Sequence, residues 1–159
     1  MFTNLQIAQI LKEMSAYYGM QRIDFKERAY DLAAADVLIY PEPLAELYRK
    51  EGLKGLTKVP NVGNRIAKHI EELLKTGHFQ EYEDFRKRIP VDLPELLQLE
   101  GIGPRTIYDL FLHLGIKNLD DLEKACAEHK IRTLRGFGAK SESRIKEAIE
   151  KYKPQRRRD

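Results

Sequence analysis

One short motif occurs three times along this chain, and it restricts the possible folds more than any other feature. Each copy has an apolar residue, two linker positions, a second apolar residue and a glycine. A capped helix with a basic residue in its first turn then follows, and a short helical stretch precedes each copy. The copies begin at Val59, Leu99 and Leu134. A sharp turn between two helices satisfies this pattern, and the unequal spacing argues against an open solenoid.

The remaining segments also favour helix, so the predicted fold class is all-α. Apolar residues from Leu5 to Met14 recur at three- and four-residue spacing, which predicts a first helix that Gly19 stops near Tyr18. Asp24 and Glu27 resemble a capping box for a second helix. The residues that this second helix is expected to bury are Phe25, Ala29, Leu32, Ala33 and Val37. Sustained period-two alternation, the signal for strands, is missing.

The two glycine positions of the motif have different tasks. The turn needs a residue with a positive φ, which glycine adopts without strain. In the first copy Asn61 stands where the later copies have Gly101 and Gly136, and asparagine tolerates this region well. A glycine at the second position lets a foreign group approach the backbone without a side-chain clash. The second-position glycines are Gly63, Gly103 and Gly138.

The helix after each second glycine predicts a phosphate site. Its first amides are unpaired and the positive end of the helix dipole lies behind them. Arg65, Arg105 and Lys140 add charge beside these amides. Such contacts hold a nucleic-acid backbone and carry no base preference. The expected DNA-binding residues of the hairpins are Asn61, Gly63, Asn64, Arg65, Lys68, His69, Gly101, Gly103, Arg105, Thr106, Gly136, Gly138, Lys140 and Ser141.

Composition permits this function without requiring it. The net charge of +3 is modest, and no apolar run approaches the length of a membrane span. The first residues lack the pattern of a secretion signal, so we expect a cytoplasmic protein that is nucleoid-associated in a prokaryote. We also expect a monomer whose main partner is DNA.

Several motifs occur in the order and spacing of a known family. They are Ile-Ala-X-Ile-Leu-X-Glu-Met at 7–14, Arg28-Ala29-Tyr30, Leu-Leu-Lys-Thr-Gly at 73–77, Leu-Glu-Gly-Ile-Gly-Pro at 99–104 and Gly-Phe-Gly-Ala-Lys at 136–140. Over almost its whole length the chain resembles the N-terminal region of family X DNA polymerases of the DNA polymerase beta type, especially bacterial and archaeal members.

The resemblance implies an organisation and a function. It implies a lyase-like helical domain at 1–80 with the first hairpin, a tandem helix-hairpin-helix domain at 81–153, and a basic tail at 154–159. It also implies binding of gapped or nicked duplex in DNA repair, with other repair proteins as further partners. The family's palm signature for nucleotide transfer is missing from this sequence, so polymerase activity is not expected.

The resemblance further implies a monovalent cation, K⁺ or Na⁺, between each hairpin and a DNA phosphate. The expected ligands are backbone carbonyls. By position they belong to Thr57, Val59 and Val62 in the first hairpin, and to Leu97, Leu99 and Ile102 in the second.

Lyase activity is the main open question that the resemblance raises. His69 occupies the position of the family's Schiff-base lysine, and Glu81 occupies that of another lysine. Lys26 and Tyr30 match supporting phosphate-binding positions. Lys68 is the alternative nucleophile, although one helical residue turns it by about 100° from His69. The preferred interpretation is that Lys58, Arg65, Lys68 and His69 form a phosphate-binding face. Protonation of His69 below about pH 6.5 would then strengthen DNA binding.

Three alternatives to a DNA-binding module therefore stay open. The chain is a 5′-deoxyribose-phosphate or abasic-site lyase that uses Lys68, a protein-interaction module, or an N-terminal fragment of a family X polymerase. Borohydride trapping on an incised abasic duplex distinguishes the lyase, and the absence of salt-dependent DNA affinity distinguishes the interaction module.

Overall fold

The computed structural model describes the backbone of residues 1–158 and the side chains as far as Pro154. Every regular element in this part of the chain is helical, which confirms the all-α prediction. The chain forms two compact units, Met1–Lys87 and a second that begins at Arg88. The helices of the first unit are α1 (Asn4–Met20), α2 (Asp24–Ile39), α3 (Leu44–Leu56), α4 (Asn64–Thr76) and α5 (Gln80–Arg88).

Helix α1 begins with a complete capping box. The Thr3 hydroxyl accepts a hydrogen bond from the Gln6 amide at 3.1 Å, and the Gln6 side chain accepts one from the Thr3 amide at 2.9 Å. Gly19 does not end the helix as expected, because α1 continues to Met20. A Cβ at Gly19 would overlap the Glu27 carboxylate, so close packing against α2 explains this glycine.

Helix α2 corrects two predictions. Its N-cap is Ile23, which makes no side-chain capping bond, so the expected capping box is wrong. Phe25 and Leu32 are exposed at 74% and 39%, although both were expected in the core. The buried stripe contains Tyr30, Ala33, Ala34 and Val37. Because each residue turns a helix by about 100°, Leu32 points away from this stripe.

Helix α5 explains where the two units divide. The Phe85 ring stacks on Tyr17 at 4.9 Å and meets the Tyr18 ring edge-on at 5.7 Å. These contacts place most of α5 in the first unit, which extends to Lys87.

The second unit is built from shorter helices around its own core. They are α6 (Leu93–Leu96), α7 (Pro104–Leu114), α8 (Leu119–Ala127), a 3-10 turn (Ile131–Thr133) and α9 (Ala139–Arg158). Asn118 caps α8 by accepting from the Asp121 amide at 2.8 Å. The backbone of the expected basic tail continues α9 as far as Arg158, and its side chains after Pro154 lie outside the described residues.

Among the described residues, no helix is both long enough and apolar enough to cross a membrane.

Candidate nucleic-acid interface

The three repeats fold into three turns with the same hydrogen bonds. In each, the second apolar residue donates its amide to the carbonyl of the first: Val62 to Val59 at 3.1 Å, Ile102 to Leu99 at 3.3 Å, and Phe137 to Leu134 at 3.0 Å. The second glycine then accepts the first bond of the following helix, from Ala67 at 2.9 Å, Ile107 at 3.1 Å and Glu142 at 3.1 Å. The repeated sequence is therefore a repeated backbone structure.

The first turn position is left-handed in all three copies, as the sequence predicts. Asn61 has φ 64°, Gly101 has φ 79° and Gly136 has φ 85°. The side chain of Asn61 also donates to the Asp36 carboxylate of α2 at 2.5 Å, a contact that the sequence did not indicate. Asp36 therefore helps to hold the first hairpin against α2, and it occupies the amide that we expected to face DNA.

Nothing inside the chain requires glycine at the second position. Gly63 and Gly103 have φ of −83° and −100°, values that any residue adopts. Gly138 is also outside the positive-φ region. A Cβ built at any of the three meets no atom within 4 Å. The backbone is thus left open to a group from outside the chain.

No N-cap side chain satisfies the helix ends beside the first two of these glycines. Gly63 and Gly103 are the N-caps of α4 and α7, and neither provides a side-chain capping bond. The positive end of each helix dipole therefore lies beside a glycine that has no side chain to cover it. Arg65, Arg105 and Lys140 all have exposed side chains at these positions. Each second-position glycine therefore lies at a helix start beside an exposed basic residue, as the motif predicts, and phosphate binding there stays a prediction.

The third hairpin is the least buried of the three. Leu134 and Phe137 are half-buried, whereas the matching residues of the first two hairpins, Val59, Val62, Leu99 and Ile102, are buried. An ion pair also connects the elements of this hairpin. Arg132 of the 3-10 turn contacts the Glu142 carboxylate of α9 through its Nε. The side chain of Glu142 is only 4% exposed. This pair, which the sequence did not indicate, joins the two sides of the third hairpin.

A second set of polar groups lies in the first unit and connects α1, α2, α4 and α5. The Tyr30 hydroxyl bonds His69 Nδ1 at 2.5 Å, and His69 Nε2 lies 3.6 Å from the Glu81 carboxylate. The Tyr18 hydroxyl donates to the other Glu81 oxygen at 2.5 Å. We call Tyr18, Tyr30, His69 and Glu81 the tyrosine–histidine network.

Burial sets the protonation of this network. Burial lowers the pKa of His69 below its ordinary range, with Glu81 acting in the opposite direction and Arg65 in the same one. Burial likewise raises the pKa of Tyr30 to about 12, and it also raises the pKa of Tyr18. Both phenols therefore remain protonated, and burial favours the neutral form of His69.

The network changes the roles expected for several residues. Tyr30 is 1% exposed, so its hydroxyl contacts the buried side of His69 and is not on the protein surface. Lys26 Nζ lies 5.1 Å from the centre of the Tyr18 ring, at the edge of the network. Lys68 is exposed on α4 while the His69 side chain is only 16% exposed. The two neighbours therefore occupy different surroundings, as helical rotation predicts.

The lowered pKa of His69 makes stability depend on pH. As the pH falls below about 6.5, the unfolded chain binds a proton at this histidine before the folded chain does, so the free energy of unfolding decreases. We expect the melting temperature of the wild type to fall more between pH 7.5 and pH 5.5 than that of His69→Gln. Parallel pH dependence of the two proteins would contradict this. If protonation of His69 increases DNA affinity, the increase is expected at a pH lower than the value of about 6.5 inferred from the sequence.

Family models match a segment in each of the two units. Residues 2–79 match a model described as a helix-hairpin-helix domain, and residues 93–151 match a SAM-like helix-hairpin-helix tandem. The chain is 30% identical over 144 residues to the DNA polymerase/3′-5′ exonuclease PolX of Bacillus subtilis, covering 90% of this chain and 24% of that protein. It is 24% identical over 119 residues to DNA polymerase lambda of Rattus norvegicus, covering 75% of this chain and 19% of that protein.

A helicase shares a smaller segment. The chain is 38% identical over 85 residues to the ATP-dependent DNA helicase Hel308 of Thermococcus kodakarensis, which is 52% of this chain and 7% of the helicase. The matched region is thus less than a quarter of the length of each of these relatives. Three equivalent hairpins, two matching helix-hairpin-helix models and the likeness to two polymerases together show that this chain belongs with the N-terminal region of the family X DNA polymerases.

Proposed function

We propose that the chain binds DNA through backbone phosphates without sequence preference, favours gapped or nicked duplex in DNA repair, and does not itself transfer nucleotides. The observation that carries the proposal is the set of second-position glycines. Their conformation and packing require no glycine, yet each of the three directly precedes the first residue of a helix. A phosphate oxygen is the expected occupant, because it is an anion that binds helix N-termini.

The arrangement of the hairpins supports a preference for interrupted duplex. The first unit carries one hairpin and the second carries two, so each unit has phosphate-binding groups of its own. DNA bends most easily where one strand is broken, because stacking is lost there. A break therefore lowers the cost of fitting one DNA molecule to two separate units.

The test is a fluorescence anisotropy titration of one labelled duplex in intact, nicked and gapped forms over a range of salt. We expect the gapped form to bind at least about tenfold more tightly than the intact form. Arg65→Ala with Arg105→Ala should abolish this preference and reduce the salt slope by about 1.8, since each lost phosphate contact on duplex removes about 0.9.

The matched control replaces one exposed basic residue of each unit away from the hairpin turns, Arg28→Ala with Lys124→Ala. It should leave the preference unchanged. Equal, weak and salt-independent binding of all three DNA forms would refute the proposal and favour a protein-interaction module.

We also propose the monovalent cation sites at the first two hairpins. The Val59 and Leu99 carbonyls each accept one turn bond, from Val62 and Ile102 respectively, and a carbonyl oxygen keeps a second lone pair for a ligand. Replacing K⁺ with tetraethylammonium at equal ionic strength should weaken DNA binding about fivefold without changing the melting temperature. Unchanged affinity would exclude these sites.

Lyase activity through Lys68 remains a separate prediction. The exposed position of Lys68, outside the tyrosine–histidine network, does not favour it. We expect borohydride to trap no covalent adduct with an incised abasic duplex. An adduct that Lys68→Ala removes would show that the chain is a lyase.

A further inference from the structure

A groove in the second unit lies between the second hairpin and helix α9. Its volume is about 370 Å³, and the Phe137 side chain of the third hairpin also lines it. Ile102 on one wall and Ile145 and Ala148 on the other are buried, so the base of the groove is apolar. We call this space the hairpin groove.

Charged side chains stand at the opening of the hairpin groove. Arg144 and Lys151 lie seven residues apart on α9, which places them on the same side of the helix about two turns apart. Neither has an ion-pair partner within the described part of the chain. Glu100 and Glu147 also line the groove and are exposed.

We propose that the hairpin groove binds an unpaired nucleotide of a single DNA strand. This inference rests on the proposed DNA-binding function and names the part of a gapped substrate that the second unit recognises. Arg144 and Lys151 bind successive phosphates of the strand, while the Phe137 ring and the apolar base of the groove contact the nucleobase. Single strands are generally bound by this combination of cations and aromatic or apolar surface.

The carboxylates explain why the nucleotide has to be unpaired. Glu100 and Glu147 can only accept hydrogen bonds when ionised, so they suit the amino and imino donors of a base. Those donors are engaged with the opposite base in a duplex and become available in a gap. The same two carboxylates repel phosphate, so the groove does not serve simply as an anion site.

Helix α9 links the groove to the phosphate site of the third hairpin. Lys140 and Ser141 lie in the first turn of α9, and Ser141 also lines the groove. Arg144 follows one turn later on the same helix. The first turn of α9 at the third hairpin and the opening of the groove are therefore about one helical turn apart.

The experiment compares a labelled twelve-nucleotide deoxycytidine strand with intact duplex, using the whole chain. Arg144→Ala with Lys151→Ala should weaken single-strand binding about tenfold and reduce its salt slope by about 1.4, since each contact on a single strand contributes about 0.7. Intact duplex affinity should change less than about twofold. Phe137→Leu should weaken single-strand binding about fivefold while leaving the salt slope unchanged, because it removes an aromatic face and no charge.

The matched control is Lys117→Ala with Lys124→Ala, which removes two exposed cations from the same unit outside the groove. Melting curves of all variants show whether each one folds. Equal loss on single strand and duplex, or no loss on either, overturns the groove inference while leaving the hairpin proposal standing. Failure of the wild-type chain to bind any DNA form overturns both.

Discussion

Replacing Gly63 and Gly103 together with alanine should lower DNA affinity at least about tenfold and leave the folded protein equally or slightly more stable. Both residues have ordinary φ values, and an added Cβ meets no atom of the chain within 4 Å. Alanine at compatible positions stabilises by about 0.4–1 kcal/mol, because it restricts the unfolded chain. At these two N-caps that gain is offset, because alanine is a poorer N-cap residue than glycine. The methyl groups do, however, occupy the space through which a phosphate approaches the backbone amides.

The reverse pattern is expected at the first turn position. Gly101 has φ 79°, and alanine in this region costs about 1–2 kcal/mol. Gly101→Ala should therefore lower the melting temperature. Binding by anisotropy and stability by thermal melting, measured on both kinds of variant, separate the two glycine tasks. Loss of stability in Gly63→Ala with Gly103→Ala, together with unchanged affinity, would show that these glycines serve the fold alone.

Arg132→Ala should destabilise the second unit by about 2 kcal/mol, because it removes the permanently charged partner of the Glu142 carboxylate. The other basic neighbour of this carboxylate is His129, whose Nδ1 lies 3.6 Å from Oε1 and which carries charge only when protonated. That carboxylate is 4% exposed, and its Oε1 accepts no hydrogen bond in the described part of the chain. Leaving a buried charge without its partner costs about 3–5 kcal/mol when both groups are buried. We expect less here because the Arg132 side chain is 43% exposed.

Urea denaturation of the whole chain measures this effect. Lys130→Ala is the control, since its pair with Glu128 is exposed on both sides and solvent screens it, so its loss should change stability little. Adding Glu142→Gln to Arg132→Ala should recover part of the lost stability, because the charge is then removed. If Arg132→Ala is no more destabilising than Lys130→Ala, this ion pair does not hold the third hairpin together.

The positions read correctly from the sequence are those whose structure depends on near neighbours. The left-handed Asn61 follows from a turn closed by a bond between Val59 and Val62, only three residues apart. Helix starts after Gly63 and Gly103 follow from the same local pattern. The repetition also strengthens the prediction, because three copies with the same spacing of apolar residues and glycines are not expected to arise by chance.

Predictions failed where a distant element decides the outcome. Periodicity indicates that α2 has a buried face, yet Phe25 and Leu32 lie outside it because the packing of Tyr30 and Ala33 selects another stripe. Gly19 looked like a helix stop, whereas it makes room for a side chain of α2. Neither result can be read from a hydrophobic pattern, because several stripes of similar polarity were available.

The helical fold, the three hairpins, the left-handed turn residues and the helix starts after the second-position glycines can be read from the sequence, since they depend on φ preferences and bonds over a few residues. The tyrosine–histidine network and the hairpin groove depend instead on tertiary packing. Tyr18 and Glu81 are 63 residues apart in the chain, and the groove joins a hairpin to a helix about 40 residues later. Their meeting depends on which helix faces pack together, and that choice is made by side-chain volume and burial across the whole unit.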